Sequence, residues 1–368
     1  MTLGLEVPLS PPGDVESGQL IKRGAKLAVQ YVNGPMGGVL GGRKIRIAVQ
    51  DTKGQPQAGS SGYRTLVQKQ HAVAVTGFFH SSVNLAVNEV AKSIGTPTLG
   101  TQSSAADITA KHYDIAFRTH VIDPVRVAAW LKFIKNKGYH RVSMIAEDTD
   151  YGIGLSEETK KQVKDKGMDV KLQSITFDHT ATDLTAQMLK IKAWHPDLVI
   201  NIGVGHPADL ILDQASTVGL LPQTPMLISY DAPVRPDFWK LHPKDGAGVY
   251  FIAYYSPKEP LSKAGKWFAK KYQGKYGESP VYSSLNGFGD VLLLAEAVDK
   301  AGATDSKKLI QSLQSNKFGF WTKSQVTLPK ADGVYWHNWS PPVLILHYTK
   351  AKQDWKKAPL VLKYSGSE

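Results

Sequence analysis

The chain has 368 residues, 42% of them hydrophobic and 21% charged, with 44 Lys and Arg against 32 Asp and Glu and a net charge of +12. That length predicts two domains, and that composition excludes a disordered chain. The absence of cysteine excludes disulfides, zinc ribbons, iron–sulfur clusters and cysteine nucleophiles, and no apolar run approaches the ~20 residues that cross a bilayer.

The positive charge suits a polyanion or an anionic solute. The lysines fall along helix-like segments, as at Lys160, Lys161, Lys164 and Lys166, and no basic stretch is interleaved with aromatics at base-stacking spacing. Nucleic acid is therefore not the expected partner. The opening MTLGLEVPLS has no basic n-region and runs straight into an apolar stretch. Either the protein is cytoplasmic or a leader has been removed.

Strand and helix alternate along the chain. Leu3–Val7 reads as a strand, and Ala25, Ala28, Val29 and Val32 fall at i, i+3, i+4 and i+7 of a helix. A glycine-rich turn over Gly34–Gly42 leads to a strand at Lys44–Gln50. Gly59 to Gln70 form a weaker helical stripe, Val73–Thr76 a strand, and Val83 to Ile94 a helix; Thr98–Gly100 is the next strand. The rhythm restarts after Phe117, with a helix marked by Val127, Trp130, Leu131 and Ile134 and a strand at Arg141–Ala146. It continues with helices near Leu155–Lys166, Leu184–Ala193 and Ala208–Val218, and strands near Val170–Thr176, Leu198–Ile202 and Met226–Tyr230. Helices return from Leu261, and β-like runs follow at Gln325–Leu328 and Val343–Tyr348. Short strands separated by helices imply βαβ units and mainly parallel sheets. Two such runs predict an α/β chain of two lobes. A (β/α)₈ barrel is the second choice, disfavoured by the few long loops at strand ends and the β-rich tail.

Several segments together resemble one family. GAKLAVQYVNGPMGGVLGGRKIRIAVQDTKGQPQAG, from Gly24, has the pattern of a helix ending in Asn33, a glycine-rich turn, a strand, then Asp51 and Pro56. VTGFFHSSVNLAVNEVAKSIGTPTLGTQSSAADIT, IAEDTDYGIGL, GVGHPADLILDQASTVGL and ISYDAP follow in register. The chain resembles the leucine/isoleucine/valine-binding protein family, the type I periplasmic solute receptors of ATP-driven importers, from about Leu3 to Gly302 and more weakly beyond. The resemblance implies a periplasmic protein whose signal peptide has been removed. It also implies two doubly wound parallel-sheet lobes joined by three crossings, with the solute between them. The crossings are expected near Arg118–Pro124, near Val249–Ser256 and within Pro329–Val343. Lobe one is then residues 1–120 plus about 250–330, and lobe two about 121–249 plus 331–368.

The same resemblance assigns site residues. Ser81, after a strand and before a helix, matches the family's carboxylate-binding serine; the helix end there would suit an anion. Helix capping by Ser81 or Ser82 is the competing reading. The backbone N–H groups of Gln102, Ser103 and Ser104 and the Ser104 hydroxyl would complete a ring of donors, with a solvated turn as the alternative. Asp231 matches the acidic residue that pairs with a ligand ammonium, and competes with a capping role before Pro233–Trp239. Tyr151 matches a tyrosine that closes over the ligand, the alternative being a surface-facing ring at a helix start. Gly205 stands where amino-acid receptors of the family often carry tyrosine, which leaves room and puts a small branched-chain ligand in doubt. Phe79 and His80, with Phe78, could stack on an aromatic ligand, although Phe78 and Phe79 also fit core and rim.

Enzyme readings find little. IGVGHPADL contains G-x-G-x-x-A after a strand, the shape of a dinucleotide fingerprint, but Pro207 occupies the helix start and Asp231 comes late for a ribose contact. No phosphate loop, nucleophile elbow or H-E-x-x-H spacing is present, and His206 and His242, each before a proline, read as loop histidines. The expectation is a non-enzymatic receptor without cofactor or metal, monomeric, not membrane-spanning, and partnered by the membrane permease of an importer. Its ligand would be a small carboxylate: an aliphatic or aromatic amino acid, or an aromatic acid. A cytoplasmic ligand sensor on the same fold is the alternative, and a nicotinamide-dependent dehydrogenase a remote one.

Overall fold

The computed structural model describes Met1–Gly366. The chain divides into two compact α/β units. The first comprises Met1–Ile122 and Lys258–Ser340, and the second Asp123–Pro257 and the chain from Pro341 onward.

The first unit opens with β1 (Thr2–Val7), buried at every position, α1 (Val15–Asn33), β2 (Arg46–Asp51), α2 (Pro56–Arg64), β3 (Ala72–Phe78), α3 (Ser81–Ile94), β4 (Thr98–Gly100), α4 (Asp107–Ala110) and β5 (Ala116–Arg118). Its five strands lie in the order β2-β1-β3-β4-β5, all parallel. That is a doubly wound order, in which the succession of strands across the sheet switches sides between β1 and β3. Asp14 caps α1, its carboxylate accepting the Ser17 N–H at 3.1 Å. Asn33 closes the following glycine-rich turn with two bonds to Ile45 of 2.8 Å each, one to the carbonyl and one from the N–H.

The second unit runs through α5 (Asp123–Lys137), β6 (Arg141–Glu147), α6 (Asp150–Asp165), β7 (Lys171–Phe177), α7 (Thr185–Trp194), β8 (Leu198–Ile202), α8 (His206–Thr217), β9 (Met226–Ile228), α9 (Phe238–Leu241) and β10 (Tyr250–Ala253). The chain then re-enters the first unit as α10 (Lys263–Tyr276), α11 (Tyr282–Ala301), α12 (Ser306–Ser315) and a small hairpin, β11 (Lys317–Phe318) with β12 (Val326–Thr327). It returns to the second unit as β13 (Val343–His347) and β14 (Leu360–Tyr364). The second sheet has the order β14-β13-β10-β9-β8-β6-β7, with β13 and β14 antiparallel to their neighbours and the rest parallel. Two open sheets replace the closed barrel that was the second choice.

Helices α1 and α11 pack with their backbones in contact. A Cβ on Gly24 would lie 2.0 Å from the Ser284 carbonyl oxygen, and one on Gly287 would lie 2.3 Å from that of Ile21. Both positions therefore require glycine.

The chain passes between units after Ile122, after Pro257 and after Ser340. Two expected boundaries move. The segment expected as the second crossing, Val249–Ser256, contains β10, which pairs with β9 and β13 inside the second sheet. Residues 331–340, expected in lobe two, belong to the first unit. There the Arg118 N–H donates to the His337 carbonyl and the Trp339 N–H to the Arg118 carbonyl, each at 3.0 Å, and the His337 ring stacks on Phe117. Among the described residues no helix is long and apolar enough to cross a membrane.

Candidate functional site

In the first unit, β3 and β4 are adjacent and parallel, with Thr76 opposite Leu99. The turns that follow them carry Ser81 and Ser104. Ser81 is the first residue of α3, and the N-cap position falls to His80, whose side chain makes no capping bond. The Ser81 hydroxyl oxygen instead accepts the backbone N–H groups of Ser104 and Ala105, each at 3.2 Å. Capping is thus not what this side chain does. With two N–H groups on its oxygen, the hydroxyl has its proton left to offer. The Ser104 hydroxyl is fully buried and has no hydrogen-bond partner.

The expected ring of backbone donors is not there. The N–H groups of Gln102 and Ser103 donate to the Phe78 carbonyl at 3.0 and 3.3 Å, and that of Ser104 is spent on Ser81. These bonds fold the turn back onto the end of β3. The Ser103 hydroxyl donates to Asn84 Oδ1 at 2.6 Å, so Ser103 holds the turn to α3. The Gln102 carbonyl oxygen Oε1 is buried without a partner. Phe78 is wholly buried in the core formed with Val75, Val83 and Val87, and Phe79 is nearly so, its ring edge-on to His80 with centroids 5.0 Å apart.

In the second unit, the DYG motif starts α6. The Thr149 hydroxyl caps the helix by accepting the Gly152 N–H, and a Cβ on Gly152 would meet the Glu147 carbonyl oxygen at 2.0 Å. This close turn places Tyr151 inward, with 8% of its surface exposed, so the surface-facing alternative fails. Its hydroxyl accepts from Arg126 Nη1 at 2.9 Å and shares a hydrogen bond of 2.8 Å with the Ser229 hydroxyl. Burial pushes its phenol up to about 12, so the ring stays neutral at any ordinary pH.

Arg126, which pattern reading passed over, is the largest surprise of this region. It is 1% exposed, and its guanidinium lies 5.3 Å from the Tyr151 ring and 5.6 Å from the Tyr254 ring. Burial opposes its charge, but the oxygens of Tyr254 and Tyr151 and the carboxylates of Asp123 and Asp231 outweigh that and hold it protonated. A signal was present in the sequence. Arg126 stands four before Trp130, on the stripe that α5 buries.

Asp231 follows Ser229 and Tyr230 at the end of β9. It heads the 3₁₀ turn Ala232–Val234, yet its side chain makes no capping bond, and it is 3% exposed. Gly205, between β8 and α8, has φ 62° and ψ −136°, a conformation that glycine adopts and other residues resist. Its N–H donates to the Tyr230 hydroxyl at 2.9 Å. The room expected from the missing tyrosine is therefore partly taken by Tyr230, from the turn after β9.

The same turn removes the dinucleotide reading. A pyrophosphate needs free N–H groups at the glycine-rich turn. Here Gly203 donates to Asn201 Oδ1 at 3.0 Å, Val204 to the Glu147 carboxylate at 2.9 Å, and Gly205 to Tyr230. Asp148, Asp178 and His179 bring one potential metal-ligand atom each to within 4.8 Å, but all lie near the surface and bond to one another, His179 Nδ1 to Asp148 at 2.7 Å.

Comparisons with known proteins agree with this architecture. A family model described as periplasmic binding protein matches residues 1–337. The Leu/Ile/Val-binding protein homolog 1 of Brucella abortus (strain 2308) is 25% identical over 344 residues, 92% of this chain and 90% of that protein. The branched-chain amino acid transporter substrate binding protein LivJ of Streptococcus pneumoniae, solved with isoleucine, superposes with a TM-score of 0.82 at 22% identity over 99% of each chain. A solute binding protein of an ABC transporter from R. palustris, solved with benzoate, gives a TM-score of 0.82 at 20% identity, covering 98% of this chain and 95% of that one. At these identities the likeness to the solved structures is one of fold.

Proposed function

We propose, since the chain belongs to the periplasmic binding protein family, that it is the receptor of an ATP-driven importer, capturing a small organic carboxylate and delivering it to a membrane permease. The family and fold are those of solute-binding proteins, which are not enzymes. The observation that carries the reading is the pair of hydroxyls at the ends of β3 and β4. Ser81 has its oxygen filled by two N–H groups and keeps a proton to give, and Ser104 is buried with an unused hydroxyl. Two neutral donors on adjacent turns suit a carboxylate that must also be released.

The ligand is a small carboxylate: an aliphatic or aromatic amino acid, or an aromatic acid. The relatives named for leucine, isoleucine and valine and the neighbour solved with isoleucine support the first class; the neighbour solved with benzoate supports the second. The proposed contacts are drawn from both units, Ser81 and Ser104 from the first and Tyr151 and Asp231 from the second. A ligand that touches both favours a closed arrangement about the three chain crossings. The receptor is monomeric and works in the periplasm, and a signal peptide in the unprocessed gene product would mark that compartment.

Native mass spectrometry of the purified protein would reveal a retained ligand. With that ligand, or with saturating leucine, phenylalanine or 4-hydroxybenzoate, the radius of gyration should fall and the melting temperature rise. A ligand that binds without changing the scattering curve would overturn hinge closure. A protein that binds no carboxylate would overturn the receptor reading.

A further inference from the structure

We infer that Arg118 is a positioning residue that couples the proposed carboxylate turn to the third chain crossing, so that the hold on a carboxylate depends on how residues 337–340 are set. The inference rests on the carboxylate-receptor reading and adds a means of regulating that same site.

Arg118 ends β5 and is fully buried. Its guanidinium reaches three segments of the first unit at once. Nη1 donates to the Ala105 carbonyl at 2.7 Å, Nη2 to the Thr109 hydroxyl on α4 at 2.6 Å, and Nε to Asn338 Oδ1 at 2.6 Å. Ala105 is thus held at both ends. Its N–H goes to the Ser81 hydroxyl at 3.2 Å, and its carbonyl goes to Arg118. The residue before it is Ser104, whose buried hydroxyl has no partner. The backbone that carries this hydroxyl is therefore fixed by Ser81 on one side and by Arg118 on the other.

The far end of the Arg118 contact lies next to the crossing that follows Ser340. Asn338 runs parallel beside Arg118, with the His337 carbonyl and the Trp339 N–H bonded to the Arg118 backbone at 3.0 Å each. Asn338 Nδ2 donates to the Ser340 hydroxyl at 2.8 Å, and that hydroxyl donates to the His120 carbonyl at 3.3 Å. His120 lies just before Ile122, where the first crossing begins. The Thr109 hydroxyl, which accepts from Arg118, donates to the Val334 carbonyl at 2.9 Å, so α4 is tied to the same segment. A guanidinium is planar and rigid, with its donors in a fixed fork. A displacement of Asn338 is therefore passed on to Ala105, where a flexible side chain would absorb it. The coupling is reciprocal: a carboxylate that favours one shape of the Ser104 turn favours the matching setting of residues 337–340. A turn held only by its own backbone would bind the carboxylate equally well wherever Asn338 stood.

The test is calorimetric titration of the full chain with leucine, phenylalanine, benzoate and 4-hydroxybenzoate, continued with the compound that binds tightest. Asn338 is half-buried, and Asn338→Ala removes the acceptor at the crossing while leaving both serines and Arg118 in place. It should weaken that compound by at least about fivefold, the low end of coupling between sites. Asn338→Asp keeps an oxygen for Nε and should bind within about twofold of the unaltered protein. In an Arg118→Lys background, which lacks the fork, Asn338→Ala should change affinity by less than about twofold. A merely structural role would lower the denaturant midpoint of Asn338→Ala and leave its dissociation constant unchanged. That result would overturn the inference and leave the receptor reading standing, as would equal weakening by Asn338→Ala with and without Arg118. If Arg118→Lys does not fold, the contrast between Asn338→Ala and Asn338→Asp decides alone. If none of the four compounds binds, the carboxylate-receptor reading fails and the inference falls with it.

Discussion

Ser81 and Ser104 are bound to each other through the backbone, the Ser81 hydroxyl oxygen accepting the Ser104 N–H at 3.2 Å while the Ser104 hydroxyl itself is buried and unused. The two serines therefore have different structural duties although they share one proposed ligand. Ser81→Ala would leave two buried N–H groups, those of Ser104 and Ala105, without an acceptor. It should cost about 1–3 kcal/mol of stability as well as ligand affinity. Ser104→Ala should leave denaturant midpoints nearly unchanged and weaken carboxylate binding by about 1.5–3 kcal/mol. Urea titration and calorimetry on both variants would check the split. Equal stability losses in the two would contradict it.

Gly205 predicts a backbone effect. At φ 62° and ψ −136° a Cβ is strained whatever the surrounding space. Gly205→Ala should destabilise the protein by about 1–3 kcal/mol, even though it adds one methyl group. Tyr230→Phe, which removes the acceptor of the Gly205 N–H, should cost about 1–3 kcal/mol if that N–H stays buried. Chemical denaturation of each variant measures both.

Asp290 predicts a pH dependence. It lies fully buried on α11, and the hydroxyls of Thr119 and Thr76 reach its carboxylate at 2.5 and 3.3 Å. Burial raises its carboxyl to about 7, against a partial pull downward by Thr119, Thr101 and Thr76. The folded state therefore keeps a proton that the unfolded chain has released. Between about pH 4 and pH 7 the folded form binds more protons, so this group's contribution to stability falls as pH rises. Asp290→Asn should flatten that decline and stabilise the protein at pH 8 relative to the unaltered chain. Denaturant midpoints from pH 4 to pH 8 would show the curves converging at low pH; parallel curves would contradict the assignment.

His242 predicts a pH dependence of the same sign, set by its charged partners. It was expected in a loop, but it is fully buried at the end of α9, with Nδ1 2.8 Å from Asp213 and Nε2 3.0 Å from Asp209, both on α8. Burial pulls its pKa down, and the two carboxylates more than compensate, so it ends raised. Arg235, 3.6 Å from Asp209, is the nearby competing cation. The stabilisation is present in full below the ordinary histidine pKa of about 6.5 and is lost as pH rises through the higher folded value. His242→Gln should be less stable than the unaltered protein at pH 6, with the gap narrowing by pH 9. A gap that does not change with pH would show that only packing is at stake.

What the sequence determined by itself is local. Hydrophobic spacing marks the strands at Thr98–Gly100 and Leu198–Ile202 to the residue, because a parallel strand buried on both faces reads as a short, mostly apolar run. The alternation of those strands with helices is enough to specify parallel α/β units. The glycines and Asn33 around the first turn are likewise legible, since they act on neighbours in sequence. Tertiary structure decided everything that depends on which polar group meets which. Only the fold brings the Phe78 carbonyl to the N–H groups of Gln102 and Ser103 and so takes them out of the proposed site. Only the fold sets Arg126 against Tyr151, 25 residues away, and Ser229, 103 residues away. It also assigns Tyr250–Ala253 to the second sheet, where a short apolar run gave no hint of its neighbours. A polar side chain in water has no preferred partner. Burial removes the water, and the partner is then whichever group the chain, returning from far along its length, has placed within reach.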